Sequence, residues 1–322
     1  GPSAMSIQVG LEDDLSAMLL DNDVDPEVPE GTEYYLPAGS SYRVTPFSLM
    51  KGFRLAGSRD GVKPVVVLEG SWSIAEGSYL SSLEFDNIEF RHEANNNYFM
   101  NTSKAYTIEN VSFVNCDFIS LRRGFWRHQS ANAKYIMNLE MEGCRFEGCG
   151  WQTSAYGAFN LQSFDKDNGV SYDQVDRAIF RNCTFSNDND GTNGYGWGNL
   201  FYAPYMDKPI DLEYKNVTIY NYSRNQRLIN IESAVGSKLV MEGILLASPC
   251  GDLFAIGANT TTTFSNNYTT ADYTLGGKNM NATDLKITAA ELFADPANGD
   301  LTIKDISSPI VSNRAGDTRW LP

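Results

Sequence analysis

The sequence has few basic residues and almost no histidine. Its 322 residues include 25 Lys and Arg against 40 Asp and Glu, so the formal net charge is −15. Proteins that bind nucleic acid normally present a basic surface, and this composition excludes that class. His92 and His128 are the only histidines, which disfavours a histidine-ligated metal site.

Several familiar sequence signals are also missing. No apolar run approaches the roughly 18 residues that a membrane-spanning helix requires, so no transmembrane segment is expected. Neither a Gly-Lys-Ser/Thr phosphate loop nor a Gly-x-Ser-x-Gly nucleophile elbow occurs. Phosphate-loop nucleotide hydrolysis and elbow-type hydrolase chemistry are therefore disfavoured.

Lys and Arg are absent from the first 30 positions, which hold eight Asp and Glu. The remaining chain has 25 basic and 32 acidic residues, a net charge of −7. We expect residues 1–5 to be a cloning remnant and residues 6–33 to be an acidic, solvated leader. Leu11, Leu15, Met18 and Leu19 have helical spacing, so this leader is also expected to cap the first end of a repeat fold.

A short motif, apolar–x–Asn/Gly–apolar–x–apolar, recurs along most of the chain. Its copies lie 23 to 39 residues apart, which is within the period range of solenoid repeats. Unequal spacing indicates loops of different length between strands of constant length. The central positions are Gly57, Asn87, Asn115, Gly143, Asn182, Asn216, Gly243 and Asn266.

The motif predicts a sharp corner. Side chains of a strand return to one face every second residue, so Phe85 and Phe90, five positions apart, cannot both face inward from one straight strand. Asn and Gly tolerate a left-handed backbone best, so each central residue is expected to join two strands at a corner. Stacked corners would form an Asn/Gly ladder.

A third apolar segment follows each corner after about ten to twenty residues, at 98–100, 124–127, 157–161, 198–202, 227–231 and 251–256. The sequence therefore predicts an all-β chain. It should form a single-stranded right-handed parallel β-helix of about eight coils, with three short strands per coil.

Three strands per coil with an Asn corner resemble the pectate-lyase superfamily. The segment 34–42, with Leu36-Pro37-Ala38-Gly39, resembles the opening of such β-helices. The ending 314–320 is similar to the Ala-Gly-Asp-Pro-Arg-Trp tail of Bacteroidetes surface lipoproteins, except that Thr318 replaces proline. The resemblance implies a β-helix over residues 34–322, with a C-terminal cap from about residue 284.

The same resemblance implies a place in a polysaccharide-utilisation system. Such a protein is an outward-facing outer-membrane lipoprotein or a secreted protein, and it captures a polysaccharide for an outer-membrane glycan importer. In this family the glycan lies along the strand column that follows the long loop. Around that column the loops are rich in aromatic residues, which stack on sugar rings. The glycan-binding candidates are Trp126, Arg127, His128, Trp151, Tyr156, Asn160, Tyr195, Trp197, Tyr202 and Tyr205. Alternatively, these aromatic residues pack the loops onto the rod.

Arg122, Arg123 and Arg127 form a positive cluster in an acidic protein. Arginine binds carboxylate or sulfate groups bidentately, which suits a glycan that contains uronic acid. The resemblance further implies that, in a polysaccharide lyase, Arg123 or Arg127 would remove the proton next to a uronate carboxylate. Alternatively, the cluster forms salt bridges with Glu93, Glu140 or Glu142.

Two acidic loops carry the oxygen ligands that calcium prefers. Asp188 and Asp190 lie in an Asn/Asp/Gly-rich stretch, and Asp165 and Asp167 lie in a second loop. Both stretches also suit solvated turns. The sequence therefore predicts no cofactor and no metal site, with calcium at these residues as the alternative.

Of the five cysteines, Cys116, Cys144 and Cys183 share one motif position and should stack inside the rod as reduced thiols.

Three functions remain open from the sequence. The first is a non-catalytic surface protein that holds an extended polysaccharide along one face of the β-helix. The second is a polysaccharide lyase of the same fold, acting by uronate β-elimination. The third is a structural spacer or adhesin without a specific ligand.

Overall fold

The computed structural model describes residues 5–92, 98–150, 157–187, 199–222, 227–247, 253–273 and 280–322. These residues are all-β in character, with short helices near both ends. Strands pair in parallel with the equivalent strand of the next repeat. This pairing builds three stacked columns of strands, here called A, B and C.

Column A holds the strands that precede each corner. These are Ser6–Gln8, Glu33–Leu36, Arg54–Gly57, Ser78–Asp86, Tyr106–Val114, Lys134–Glu142, the first part of Asp173–Ser186, the first part of Asp211–Tyr220, Lys238–Glu242 and Thr261–Ser265.

Column B holds the strands that follow each corner. These are Ser41–Val44, Val65–Leu68, Glu89–His92, Asp117–Ile119, Arg145–Glu147, the ends of Asp173–Ser186 and Asp211–Tyr220, Leu245–Ala247, Tyr268–Thr269 and Thr283–Asp284.

Column C holds the third segment of each repeat. Ser48–Leu49 pairs with Ser73–Ile74, and the later strands pair in sequence order. Those later strands are Met100–Thr102, Trp126–His128, Gly157–Leu161, Asn199–Tyr202, Arg227–Ile231 and Leu253–Ile256. The first two begin two residues later than predicted.

The remaining elements lie outside the columns. The helices are Leu15–Val24, Ala289–Leu292 and Pro309–Ser312, with 3₁₀ turns at Pro296–Asn298 and Thr318–Trp320. Two antiparallel hairpins pair Phe164–Asp165 with Val170–Ser171 and Phe293–Asp295 with Asp300–Ile303.

The three columns enclose one apolar core. Phe85 of column A, Phe90 of column B and Phe99, just before a column C strand, meet with ring centroids 5.1–5.7 Å apart. Phe85 also stacks on Phe113 of the next repeat, with centroids 4.9 Å apart. Rings therefore contact each other both across a layer and along the stack, which is consistent with a parallel β-helix.

The corner prediction is confirmed. Asn87, Asn115, Asn182, Asn216 and Asn266 have φ between 50° and 59°, and Gly143 and Gly243 have φ of 66°. Gly57 differs, because it ends a strand without a positive φ.

Between the first two asparagine corners, the ladder is a direct side-chain hydrogen bond. The side-chain amide of Asn115 donates a 2.7 Å hydrogen bond to Oδ1 of Asn87. The backbone N–H of Asn115 donates to the carbonyl of Glu142 in the next repeat, at 2.8 Å. Each corner is thus tied to the following repeat while it turns its own chain.

The prediction that three motif cysteines are buried is confirmed. Cys116, Cys144 and Cys183 are free and fully buried. Burial raises the pKa of Cys144 well above its ordinary value, so this thiol stays protonated. Cys149 is equally buried, and burial raises its pKa to about 12.

The N-terminal residues are more ordered than a solvated leader. Leu15 and Leu19 of the helix Leu15–Val24 are buried, as predicted, whereas Leu11 is 66% exposed. Asp14 caps this helix by accepting from the Ala17 N–H at 3.1 Å. Oδ1 of Asp23 accepts from the backbone N–H groups at 50 and 51, both at 3.0 Å. Two of the acidic side chains therefore hold this helix in place.

The C-terminal residues run back along the corner column. The carbonyl of Arg314 accepts from the Asn216 side chain at 2.6 Å, and the Arg319 guanidinium donates to the carbonyl of Gly143 at 2.7 Å. Thr318 Oγ1 donates to Asn182 Oδ1 at 3.0 Å. The predicted cap is therefore largely a lateral strap, defined here as residues 313–320.

A buried cluster fixes this strap. Asp317 accepts from Thr184 Oγ1 at 2.7 Å and donates its N–H to Thr218 Oγ1 at 2.9 Å. Trp320 Nε1 donates to Thr184 Oγ1 at 2.8 Å, and the Trp320 ring lies 5.3 Å from the Arg145 guanidinium carbon. The end of the chain is thus bound to the middle of the columns.

We expect Asn115→Ala to lower the free energy of unfolding by about 2–3 kcal/mol. It would lose a hydrogen bond and place an alanine in a left-handed conformation. Asn115→Gly keeps the backbone freedom and should lose only about 1 kcal/mol, for the hydrogen bond. Urea denaturation measures both, and equal losses would contradict the separate role of the corner backbone.

Candidate functional site

The outer face of column C carries one continuous polar row. Register places Asn101, Arg127, Asn160, Tyr202 and Asn230 side by side, followed by Ala255. Neighbouring parallel strands are about 4.8 Å apart, so the row presents a polar group at each step. Three of the predicted glycan-binding residues, Arg127, Asn160 and Tyr202, are thereby brought together.

Alternation along the strand removes two other candidates. Trp126 and His128 flank Arg127, so they point to the opposite face, and both side chains are fully buried. The prediction that these two side chains bind a glycan at the surface is therefore wrong. Trp126→Ala would also damage the fold, because truncating a buried tryptophan typically costs about 3–5 kcal/mol.

The row is recessed. Asn160 and Asn230 are only 3% and 2% exposed, although their register directs them outward. Arg127 and Tyr202 are half-buried. A ligand along this face would therefore meet Arg127 and Tyr202 first, with the two amides beneath.

The amide oxygens of the row are occupied from within the protein. Gln162 Nε2 donates to Asn160 Oδ1 at 2.7 Å, and the Glu232 N–H donates to Asn230 Oδ1 at 3.2 Å. With these oxygens engaged, the row is rich in donor groups, namely amide NH₂, guanidinium and phenol, of which the phenol can also accept.

Aromatic side chains flank the row. The Arg127 guanidinium carbon lies 5.4 Å from the centroid of the Tyr98 ring, within the range of a cation–π contact. Tyr205 stacks on Phe164 with centroids 4.3 Å apart, so this predicted site residue is engaged by the hairpin beside column C. Burial raises the pKa of Tyr202, which keeps its phenol a neutral donor.

Several candidates lie outside the described residues, namely Trp151, Tyr156, Tyr195, Trp197, Asp188 and Asp190. Of the other calcium candidates, Asp165 accepts hydrogen bonds from the N–H of Asp167 and from the Asn168 side chain, at 2.9 and 2.7 Å. Asp165 therefore closes a turn. Within the described ranges, no group of three His, Cys, Asp or Glu side chains is arranged to hold a metal ion.

The arginine cluster is half-buried at Arg122, Arg123 and Arg127. Two carboxylates proposed as its salt-bridge partners have other contacts. Glu140 pairs with Arg177 at 2.9 Å, and Glu142 accepts from the Asn182 side chain at 3.0 Å. Both lie in column A, away from the polar row.

Behind the row lies a buried hydrogen-bond chain. Trp126 Nε1 donates to the hydroxyl of Tyr106 at 3.1 Å, and that hydroxyl contacts His128 Nε2. On its other side, His128 Nδ1 lies 2.7 Å from Oδ1 of Asp173. Sequence spacing gave no sign of this chain, because its members come from three repeats.

Burial determines the protonation states of Tyr106 and His128 in this hydrogen-bond chain. It lowers the pKa of His128 and raises that of Tyr106, so both groups are neutral near pH 7. Neutral His128 therefore donates from Nδ1 to Asp173 and accepts the Tyr106 proton at Nε2.

The neighbouring Lys134 is also buried. Its ammonium group donates to Ser163 Oγ and to the carbonyl of Asn132, both at 2.7 Å. Burial lowers the pKa of Lys134 to about 8. Because its N–H groups bond to the surrounding turns, Lys134 stabilises the segments that connect column C to column A.

Sequence reasoning missed the row members Asn101 and Asn230. Aligning the column C strands by repeat would have identified them, because both residues then fall in the same row as Arg127. Gln162, which orients Asn160, lies beyond the strand end and has no such signal.

Comparison with known proteins gives no family. No protein-family model matches the chain, and no curated protein matches it either. Among the described residues, no helix has the length and apolar character needed to cross a membrane.

His128 should make stability depend on pH. Because its folded pKa lies below the ordinary value of 6.5, the unfolded chain binds the proton first, and stability is lost as the pH falls below about 6.5. We expect the melting temperature to drop between pH 7.5 and 5.5.

His128→Gln should remove part of that pH dependence and lower stability at pH 7.5 by about 1–3 kcal/mol, since buried partners lose hydrogen bonds. His92→Gln is the matched control, because these are the only two histidines. Calorimetry across this pH range gives the comparison. Identical slopes for wild type and His128→Gln would contradict the assignment.

Proposed function

We propose that the chain is a right-handed, single-stranded parallel β-helix of about eight coils that binds an acidic polysaccharide without cleaving it. The ligand would lie along the outer face of column C. The observation that carries this proposal is the row of donor groups, at one per strand, centred on Arg127 and Tyr202.

The donor character of the row favours an acceptor-rich ligand. Arg127 offers a planar fork that matches a carboxylate or sulfate, and the amides of Asn160 and Asn230 have their oxygens occupied. Carboxylate groups of a uronic-acid chain recur along the polymer, as the donors recur along the rod. Tyr202 adds an aromatic face for a sugar ring.

The cellular setting follows from the resemblance of the opening and tail segments alone. We propose that the protein is a surface lipoprotein of a Bacteroidetes polysaccharide-utilisation system and hands its glycan to an outer-membrane importer. Co-purification with an importer tests that part separately.

Arg127→Ala and Tyr202→Ala should each weaken retention of polygalacturonate or alginate in affinity gel electrophoresis by about 5- to 150-fold. Loss of one stacking or charged hydrogen-bonding contact is worth about 1–3 kcal/mol, and about 1.4 kcal/mol is tenfold. Arg127→Lys should recover only part of the binding, because it keeps the charge and loses the fork.

Arg91→Ala is the control, since Arg91 is an exposed arginine of column B paired with Glu89 at 2.8 Å. It should bind as wild type does. Equal binding by Arg127→Ala and wild type would contradict the proposal. Ultraviolet absorbance that rises with pectate or alginate plus calcium, and that disappears in Arg123→Ala or Arg127→Ala, would establish the lyase instead.

A further inference from the structure

The outer face of column A carries two tyrosines, each beside a carboxylate. Tyr79 and Tyr135 occupy one outward row, with Thr107 on the strand between them. At about 4.8 Å per strand, the two tyrosines are about 10 Å apart along the rod. Tyr79 is 55% exposed and Tyr135 is half-buried, so both rings reach the surface.

Each phenol lies beside a carboxylate from the next strand of the column. Tyr135 donates to Oδ2 of Asp176, and Glu109 neighbours Tyr79 closely enough to raise the pKa of that phenol. The bond to Asp176 raises the pKa of Tyr135 to about 12, so both phenols keep their protons. The result is a repeated unit of an aromatic ring beside a carboxylate.

The second unit borders a cleft of about 310 Å³. Its lining includes Tyr135, Tyr172, Gln174, Asp176, Asp207 and Lys208. Gln174 Nε2 donates to Asp176 Oδ1 at 3.1 Å and to the carbonyl of Pro209 at 3.0 Å, which fixes the carboxylate at the cleft wall. Asp176 and Asp207 are exposed, so their oxygens can accept from a ligand.

This combination differs in charge from the column C row. The cleft lining holds Asp173, Asp176 and Asp207 against Lys134 and Lys208, and Glu109 lies beside Tyr79. Carboxylates therefore outnumber ammonium groups here, so this surface favours hydroxyl donors over anions. Flat rings at a fixed interval suit a ligand that repeats along its length. Neutral polysaccharides combine both properties, whereas a uronic-acid chain would meet like charge.

We propose that Tyr79, Tyr135 and the adjoining cleft form a saccharide-binding surface for a neutral, hydroxyl-rich polysaccharide, separate from the column C row. A single rod would then hold two glycans of different charge on two faces. The two proposals are independent, because each rests on its own column.

The test is affinity gel electrophoresis of the full chain against neutral β-glucan, xylan and mannan, with polygalacturonate in parallel. We expect at least one neutral polymer to retard wild type. Tyr79→Ala combined with Tyr135→Ala should weaken that retention by about tenfold or more, as loss of stacked rings predicts. The Tyr→Phe pair keeps the rings and should retain most of the binding.

Arg91→Ala, an exposed residue of column B, is the control and should bind as wild type does. Melting curves check that the tyrosine variants fold. Polygalacturonate retention should survive in the double tyrosine variant and fall in Arg127→Ala, which separates this proposal from the previous one. A wild type that binds none of the neutral polymers, or a double variant with unchanged retention, overturns the inference. Retention of a basic peptide, but of no saccharide, by the same tyrosines also overturns it.

Discussion

One backbone constraint organises this molecule, namely a left-handed residue between two strands of every central repeat. Without it, the apolar positions on either side, such as Phe85 and Phe90, could not both face inward. Asn and Gly adopt this conformation with little strain, and Asn115 also bonds to the corner below it. The fixed corner allows parallel strands to stack in register, and the register then places residues from distant parts of the sequence in single outward rows.

The rows turn a repeated fold into distinct surfaces. On column C, Arg127 and Tyr202 lie above recessed amides, whereas column A presents tyrosines beside carboxylates. The corner column is partly covered by residues 313–320, which bond to Gly143 and Asn182. The same stacking thus produces a surface rich in donor groups on column C and a surface rich in acceptor groups on column A. It also produces the corner column along which the C-terminal residues bind.

Much of this architecture is readable from the sequence because corner and core residues obey local rules. The odd step between paired phenylalanines and the Asn or Gly between them predict the corners, and strand alternation also implies that Trp126 and His128 face away from Arg127. Other features depend on contacts that no local pattern encodes. The bond between Arg319 and Gly143 spans 176 residues, and the near-complete burial of outward-facing Asn160 and Asn230 follows from tertiary packing.

The most direct test of in-register stacking is a distance between two outward positions of column C. Spin labels on Asn101→Cys and Ala255→Cys, with Cys250→Ser, would report it by pulsed electron resonance, since Cys116, Cys144, Cys149 and Cys183 are buried. These positions lie 154 residues apart in sequence and five strand steps apart in the column. We predict a single narrow distance near 24 Å, at about 4.8 Å per step. A much longer or broad distribution would contradict the stacked register on which both proposed binding surfaces depend.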